Sequence, residues 1–236
     1  MRDLAKRGFD IVSSAAVLIV ILPLLLAVAA WIKLDSRGPV FFMQQRAGLG
    51  GRPFRIFKFR TMVNRAAEEI DQHSEQVVSE RHDPRITRAG RFIRTTSLDE
   101  LPQLINILLG DMSVVGPRPV LMEQKEVVPP GYMKRFSVRP GLTGLAQVRG
   151  RRSLGWLQQL AYDAEYVENR GFFYDLGIIF ITVKVVLLGS GVYGSEGLNW
   201  RTYRDCLEGR PPADEDVLAA LAGHEPVVER VQESQP

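Results

Sequence analysis

The feature that most restricts this chain is a run of twenty-two residues, Ile11 to Ile32, without a single charge. As a helix rising 1.5 Å per residue the run reaches about 33 Å, enough to cross a hydrocarbon core. A cleavable leader is the competing explanation, since Ala27-Val28-Ala29 offers a small-residue cleavage pattern. The run continues past that point through Trp31 and Ile32 into a basic, motif-rich body, so we read it as a retained membrane segment. Pro23 lies at its centre, where the missing N–H and the ring's clash with the preceding turn predict a helix broken or bent at mid-membrane. Arg2, Lys6 and Arg7 precede the run and Lys33 and Arg37 follow it, so the positive-inside preference selects neither side. Two routes satisfy these residues: a helix that enters, turns at Pro23 and leaves on the same face, and an ordinary kinked spanning helix.

Beyond the run, Val40, Phe41 and Phe42 and then Phe54, Ile56, Phe57 and Phe59 surround the turn Gly48-Leu49-Gly50-Gly51, which predicts a β-hairpin. A surface helix is expected from Arg65 to about Val78. A stronger helical pattern covers Thr96 to Leu109, with Ser97 as N-cap, Asp99 and Glu100 in the first turn, and Leu101, Leu104, Ile105 and Leu108 on the apolar face. Gly116-Pro117-Arg118-Pro119 forms a rigid loop. A helix from Leu154 to about Asn169 follows, and then an apolar stretch from Leu176 to Leu188 that is too short to span and suits a buried or interfacial helix. After Gly197 the chain turns polar, and the last dozen residues are expected to be mobile.

Of the 30 Lys and Arg residues, 24 lie at or before Arg152, although the net charge is only +3. That bias points to a polyanionic partner: nucleic acid, an acidic membrane surface or a diphosphate. The membrane run in the same chain argues against nucleic acid. Cys206 is the single cysteine, which excludes an internal disulfide and a cysteine-based zinc site. No Walker motif, GxGxxG or His cluster occurs, and His73, His82 and His224 are scattered among polar neighbours.

Asp99 and Glu100 can be explained by helix capping alone, but Arg88, Arg91 and Arg94 precede them and Arg118 follows. Guanidinium groups suit phosphate recognition, and carboxylates among them can hold a divalent metal or attack phosphorus. Lys58 and Arg60 alternate with Phe57 and Phe59, so the two cations would leave one face of a strand while the rings pack on the other.

These residues fall into motifs that occur in a fixed order: Lys6-Arg7-Gly8-Phe9-Asp10, Gly38-Pro39-Val40-Phe41-Phe42, Lys58-Phe59-Arg60-Thr61-Met62, Thr96-Ser97-Leu98-Asp99-Glu100-Leu101-Pro102-Gln103, Gly116-Pro117-Arg118-Pro119 and Arg139-Pro140-Gly141-Leu142-Thr143-Gly144. In this the chain resembles, from about Lys6 to Tyr193, the monotopic phosphoglycosyl transferases, also called the bacterial sugar transferase family. The resemblance implies an α/β, mostly α, monotopic membrane fold. Its parts would be a re-entrant helix broken at Pro23, a small hairpin, and interfacial amphipathic helices around an active site on the cytoplasmic face of the bacterial inner membrane. Family members often carry serine before that proline, where this chain has Leu22.

The implied reaction passes a sugar-1-phosphate from a UDP-sugar to polyprenyl phosphate through a phosphoglycosyl-aspartate at Asp99, with release of UMP, and so initiates exopolysaccharide, capsule or O-antigen assembly. Glu100 would assist, Asp99 and Glu100 would hold Mg²⁺, and Lys58, Arg60, Arg94 and Arg118, with Asp175, would line the substrate site. The implied organisation is residues 1–37 for the membrane element, 38–195 for the catalytic core and 196–236 for a partly mobile C-terminal extension. The chain would thus be the catalytic core alone, touching inner-membrane lipid, with a homodimer left open. A scaffold that had lost the chemistry is the rival reading, and the intact Asp99, Glu100 and Arg118 argue against it.

Overall fold

A computed structural model describes residues 2–63, 83–150, 154–187 and 199–209. The expected surface helix at 65–78, His73, His82, His224 and the chain after 209 lie outside the described residues.

Helix α1 (Arg2–Asp35) contains the whole apolar run and continues through Pro23. The expected break is therefore not an end of the helix. Proline withdraws one N–H and leaves the other backbone groups of the helix free to keep their bonds. A stripe at helical spacing (Asp10, Ser14, Leu18, Ile21, Leu25, Val28, Ile32) docks on the rest of the protein. The opposite side exposes Val12, Ile19, Val20, Leu26 and Leu34.

Polar contacts fix both ends of α1. At the N-terminal end, Arg7 donates to the carbonyls of Ile107 and Leu108 at 2.6 and 3.1 Å, and Asp10 accepts the N–H of Val114 at 3.0 Å. At the far end, Asp35 accepts the N–H of Ala89 at 3.0 Å.

The predicted hairpin forms as β1 (Phe41–Ala47) and β2 (Pro53–Phe59), paired antiparallel with Phe42 opposite Lys58, Gln44 opposite Ile56 and Arg46 opposite Phe54. Its turn needs two left-handed residues, supplied by Gly50 and Gly51 at φ 66° and 70°. Next comes α2 (Arg88–Thr95), capped by the Thr87 hydroxyl, which accepts the Gly90 N–H at 2.9 Å.

The single helix expected from Thr96 to Leu109 is instead a 3₁₀ turn, Leu98–Glu100, followed by α3 (Gln103–Leu109). Pro102 is the reason: lacking an N–H, it cannot continue a helix begun at Ser97, but it suits the start of a new one. Ser97 accordingly caps nothing; it sits at φ 58°, the single non-glycine residue with positive φ among those described.

Strands β3 (Ser113–Val115) and β4 (Gly141–Thr143) pair in parallel, a contact the sequence did not announce. Helix α4 (Met122–Glu126) lies between them in sequence; α5 (Leu145–Arg149), α6 (Trp156–Asn169), α7 (Phe172–Leu187) and α8 (Trp200–Leu207) follow. Trp200, Tyr203 and Cys206 of α8 are buried with Trp156, Leu157 and Leu160 of α6. The first part of the polar C-terminal stretch is therefore core, and burial raises the Cys206 thiol pKa, as suits an inert thiol.

Candidate active site

Two motifs far apart in sequence build the loop that carries Arg118. Gly116 N–H donates to the Thr143 carbonyl at 2.9 Å and Gly141 N–H to the Pro117 carbonyl at 2.8 Å, so Gly116-Pro117-Arg118-Pro119 and Arg139-Pro140-Gly141 hold each other. The approach is too close for side chains: a Cβ on Gly141 would lie 2.1 Å from the Gly116 nitrogen. Below the loop, Arg135 and Asp163, each with 2% of its side chain exposed, pair at 2.6 Å. Arg135 also donates to the Arg118 carbonyl at 2.8 Å. Burial pushes the Asp163 carboxyl up, against the pull of Arg135.

This loop, β2 and the 3₁₀ turn converge on Glu100. One oxygen, Oε1, accepts from Lys58 Nζ and from Arg118 Nη2, both at 2.8 Å. Burial works against its charge, yet Arg118 and Lys58 together hold the Glu100 carboxyl well below the usual range. Burial in turn lowers the Lys58 ammonium pKa, and the Glu100 charge raises that of Arg118.

Asp99, one residue earlier, is half-buried and makes no side-chain hydrogen bond or ion pair among the described residues. Burial, then the neighbouring Glu100 charge, push its carboxyl up to about 6, against the more distant pull of Lys58, Arg94 and Arg118. The two adjacent carboxylates are thus divided: one locked as an anion, one unpaired and proton-hungry. Ser97's left-handed backbone, a strain of about 1–3 kcal/mol, stands two residues before Asp99.

Two expected site residues are placed elsewhere. Arg60 is 5% exposed and donates to the carbonyls of Ser36 and Arg37, closing the C-terminal end of α1. A strand-face alternation ignores that β2 ends at Phe59 and that the last carbonyls of a long helix attract a guanidinium. Asp175, at the start of α7, pairs with Lys6 at 2.5 Å and accepts from the Tyr166 hydroxyl at 2.9 Å, anchoring α1 rather than joining Glu100. Arg94 is half-buried and within electrostatic range of Asp99.

The sequence reading missed Arg46, whose guanidinium lies in the field of both Arg118 and Glu100, and the Arg135–Asp163 pair. Arg46 could have been found by extending the hairpin register that places Lys58. The buried pair, 28 residues apart, leaves no local trace.

No cluster of three metal-ligating side chains occurs among the described residues. Mg²⁺ does not require one, because it is commonly held by one or two carboxylates with waters and substrate phosphates. The Asp99 carboxylate and the second oxygen of Glu100 fit that pattern.

The family model described as bacterial sugar transferase matches residues 1–189. The chain is 43% identical over 199 residues to a UDP-glucose:undecaprenyl-phosphate glucose-1-phosphate transferase of Caulobacter vibrioides, covering 81% of this chain and 73% of that protein. It is 39% identical over 200 residues to the exopolysaccharide production protein ExoY of Rhizobium meliloti, covering 80% of this chain and 88% of the relative. It is 41% identical to an undecaprenyl-phosphate galactose phosphotransferase of Salmonella typhimurium, over 80% of this chain and 41% of that longer protein. With a match over most of its length, the chain belongs to the bacterial sugar transferase family.

Proposed function

We propose that this enzyme transfers a sugar-1-phosphate from a UDP-sugar to undecaprenyl phosphate through a covalent aspartyl intermediate, the first step of a glycoconjugate such as an exopolysaccharide. The observation that carries the reading is the unpaired Asp99 carboxylate beside a Glu100 that Lys58 and Arg118 hold ionised. Asp99 attacks the β-phosphorus; the bond from that phosphorus to the bridging oxygen breaks, and UMP leaves with the electron pair. An oxygen of the polyprenyl phosphate then attacks the same phosphorus and displaces Asp99, restoring the carboxylate. A carboxylate can approach an anionic diphosphate only where charge is neutralised, and Lys58, Arg94 and Arg118 supply cations at that place. Mg²⁺, held by Asp99 and Glu100, would add a Lewis acid on the phosphate oxygens.

The reading of the helix is monotopic and re-entrant. What supports it is that both ends of α1, and the stripe between them, rest on one body that also carries the charged site. Phe9 meets Phe172 edge-on at 5.8 Å, which joins the exposed face of α1 to that of α7, where Phe172, Phe173 and Phe180 are exposed. Together they make an interfacial apolar surface. The proposed active site faces the cytoplasm.

The test is UMP release by detergent-solubilised protein with Mg²⁺ from UDP-glucose, UDP-galactose and UDP-N-acetylhexosamines, with and without undecaprenyl phosphate. Lipid-dependent turnover of one donor is expected. No release from any donor would overturn the reaction.

A further inference from the structure

Arg46 stands where a phosphate ligand would be wanted and lacks the partner its burial calls for. On β1 it pairs with Phe54 and so shares a face of the hairpin with Lys58. The next residue, Ala47, donates its N–H to the Val120 carbonyl at 2.9 Å, which brings Arg46 alongside the loop of Arg118. Its Nη2 donates to the Gln44 side chain at 2.7 Å, and its Nε is buried without an acceptor. Among the described residues Gln44 is the one hydrogen-bond partner of this five-donor side chain.

The electrostatics agree with the geometry. Burial and the nearby Arg118 bring the Arg46 guanidinium down to about 10, with Glu100 opposing them. Glu100 is already engaged by Lys58 and Arg118 through one oxygen. Arg46, Lys58, Arg94 and Arg118 therefore face two carboxylates, and a partly desolvated cation without its own anion is costly unless a ligand supplies one.

We propose that Arg46 is a further phosphate-binding residue, which Gln44 orients so that its free guanidinium edge takes the diphosphate of the nucleotide-sugar donor. The planar fork matches two phosphate oxygens at once, which an ammonium cannot do. The inference rests on the UDP-sugar reading above. Its test therefore includes a binding measurement that needs no turnover.

Arg46→Gln and Arg46→Lys are made in the full chain in detergent. The KM for the UDP-sugar and for undecaprenyl phosphate, the melting temperature, and the rise in melting temperature caused by UDP are compared with the parent protein. Arg46→Gln should raise the donor KM by about 10–100-fold, and the UDP-induced rise should disappear. The acceptor KM should stay within about twofold and the unliganded melting temperature within about 2 °C, because Gln keeps a polar side chain at the site and removes a cation that has no anion of its own. Arg46→Lys should recover the donor KM in part. An unchanged donor KM with an intact UDP response would overturn the proposal, as would a rise confined to the acceptor KM. A loss of melting temperature that accounts for the whole effect would make Arg46 a strut of the hairpin. If the parent protein turned over no donor, the function above would fall, while the UDP response of Arg46→Gln would still decide this residue.

Discussion

Two ion clusters, joined through the backbone of Arg118, follow opposite rules. Arg135 and Asp163 are one cation and one anion with 2% of each side chain exposed. The cluster around Glu100 is half-open, with Lys58 and Arg118 sharing one carboxylate oxygen and a second carboxylate, Asp99, left unpaired. The balanced pair is built to hold; the unbalanced cluster is built to receive. A buried pair repays its desolvation only when its charges match, whereas a site that must bind an anionic diphosphate has to keep cations in excess.

That contrast predicts effects of different kinds. The largest is at Asp99. Asp99→Asn should reduce turnover by at least about 10³-fold, as loss of a nucleophile does. It should also stabilise the protein. The Asp99 pKa is raised from 3.8 to about 6, so its folded-state contribution is full below the unfolded value and is lost as pH rises through about 6. The melting temperature of Asp99→Asn should then exceed that of the parent by about 2–4 °C at pH 8, and the gap should shrink by pH 5.

Asp163→Asn should act through stability. It strands a buried guanidinium and should cost about 3–5 kcal/mol in denaturant unfolding. Replacing both members, Arg135→Met with Asp163→Leu, should recover much of that stability but not the kcat, because the Arg118 carbonyl loses its donor. Recovery of both would make the pair structural only.

Lys58→Met should come next, with a donor KM raised about 10-fold as one of the two cations on Glu100 is lost. Without Mg²⁺ the Asp99 carboxyl should take up its proton near pH 6 in a carboxyl titration followed by infrared difference spectra, and added Mg²⁺ should move that titration to lower pH. The smallest effect is at Ser97, whose φ of 58° a glycine adopts freely. Ser97→Gly should keep activity and gain up to about 1 kcal/mol in denaturant unfolding.

What could be read from sequence divides along a similar line. The long apolar helix, the hairpin and α6 follow from local patterning, because uncharged length, alternation about a glycine turn and helical spacing are short-range signals. Asp99, Glu100, Lys58 and Arg118 were legible because an ordered set of motifs marks them, and the structure brings Lys58, Glu100 and Arg118 into contact. The helix break at Pro102 was also local, but the capping pattern at Ser97 masked it. The β3–β4 pairing and the Arg135–Asp163 support join residues about 28 apart, and no local chemistry announces such partners. Arg60 was misplaced because its partner is the end of a helix two dozen residues earlier, not a ligand.

The central claim, a covalent bond at Asp99, is tested most directly by intact-protein mass spectrometry after exposure to the UDP-sugar donor and Mg²⁺ without undecaprenyl phosphate. The account predicts a mass increase of one sugar phosphate, mapped to the peptide containing Asp99, absent in Asp99→Asn and discharged on adding undecaprenyl phosphate. Lipid-dependent UMP release with no adduct, or an adduct that persists in Asp99→Asn, would contradict it.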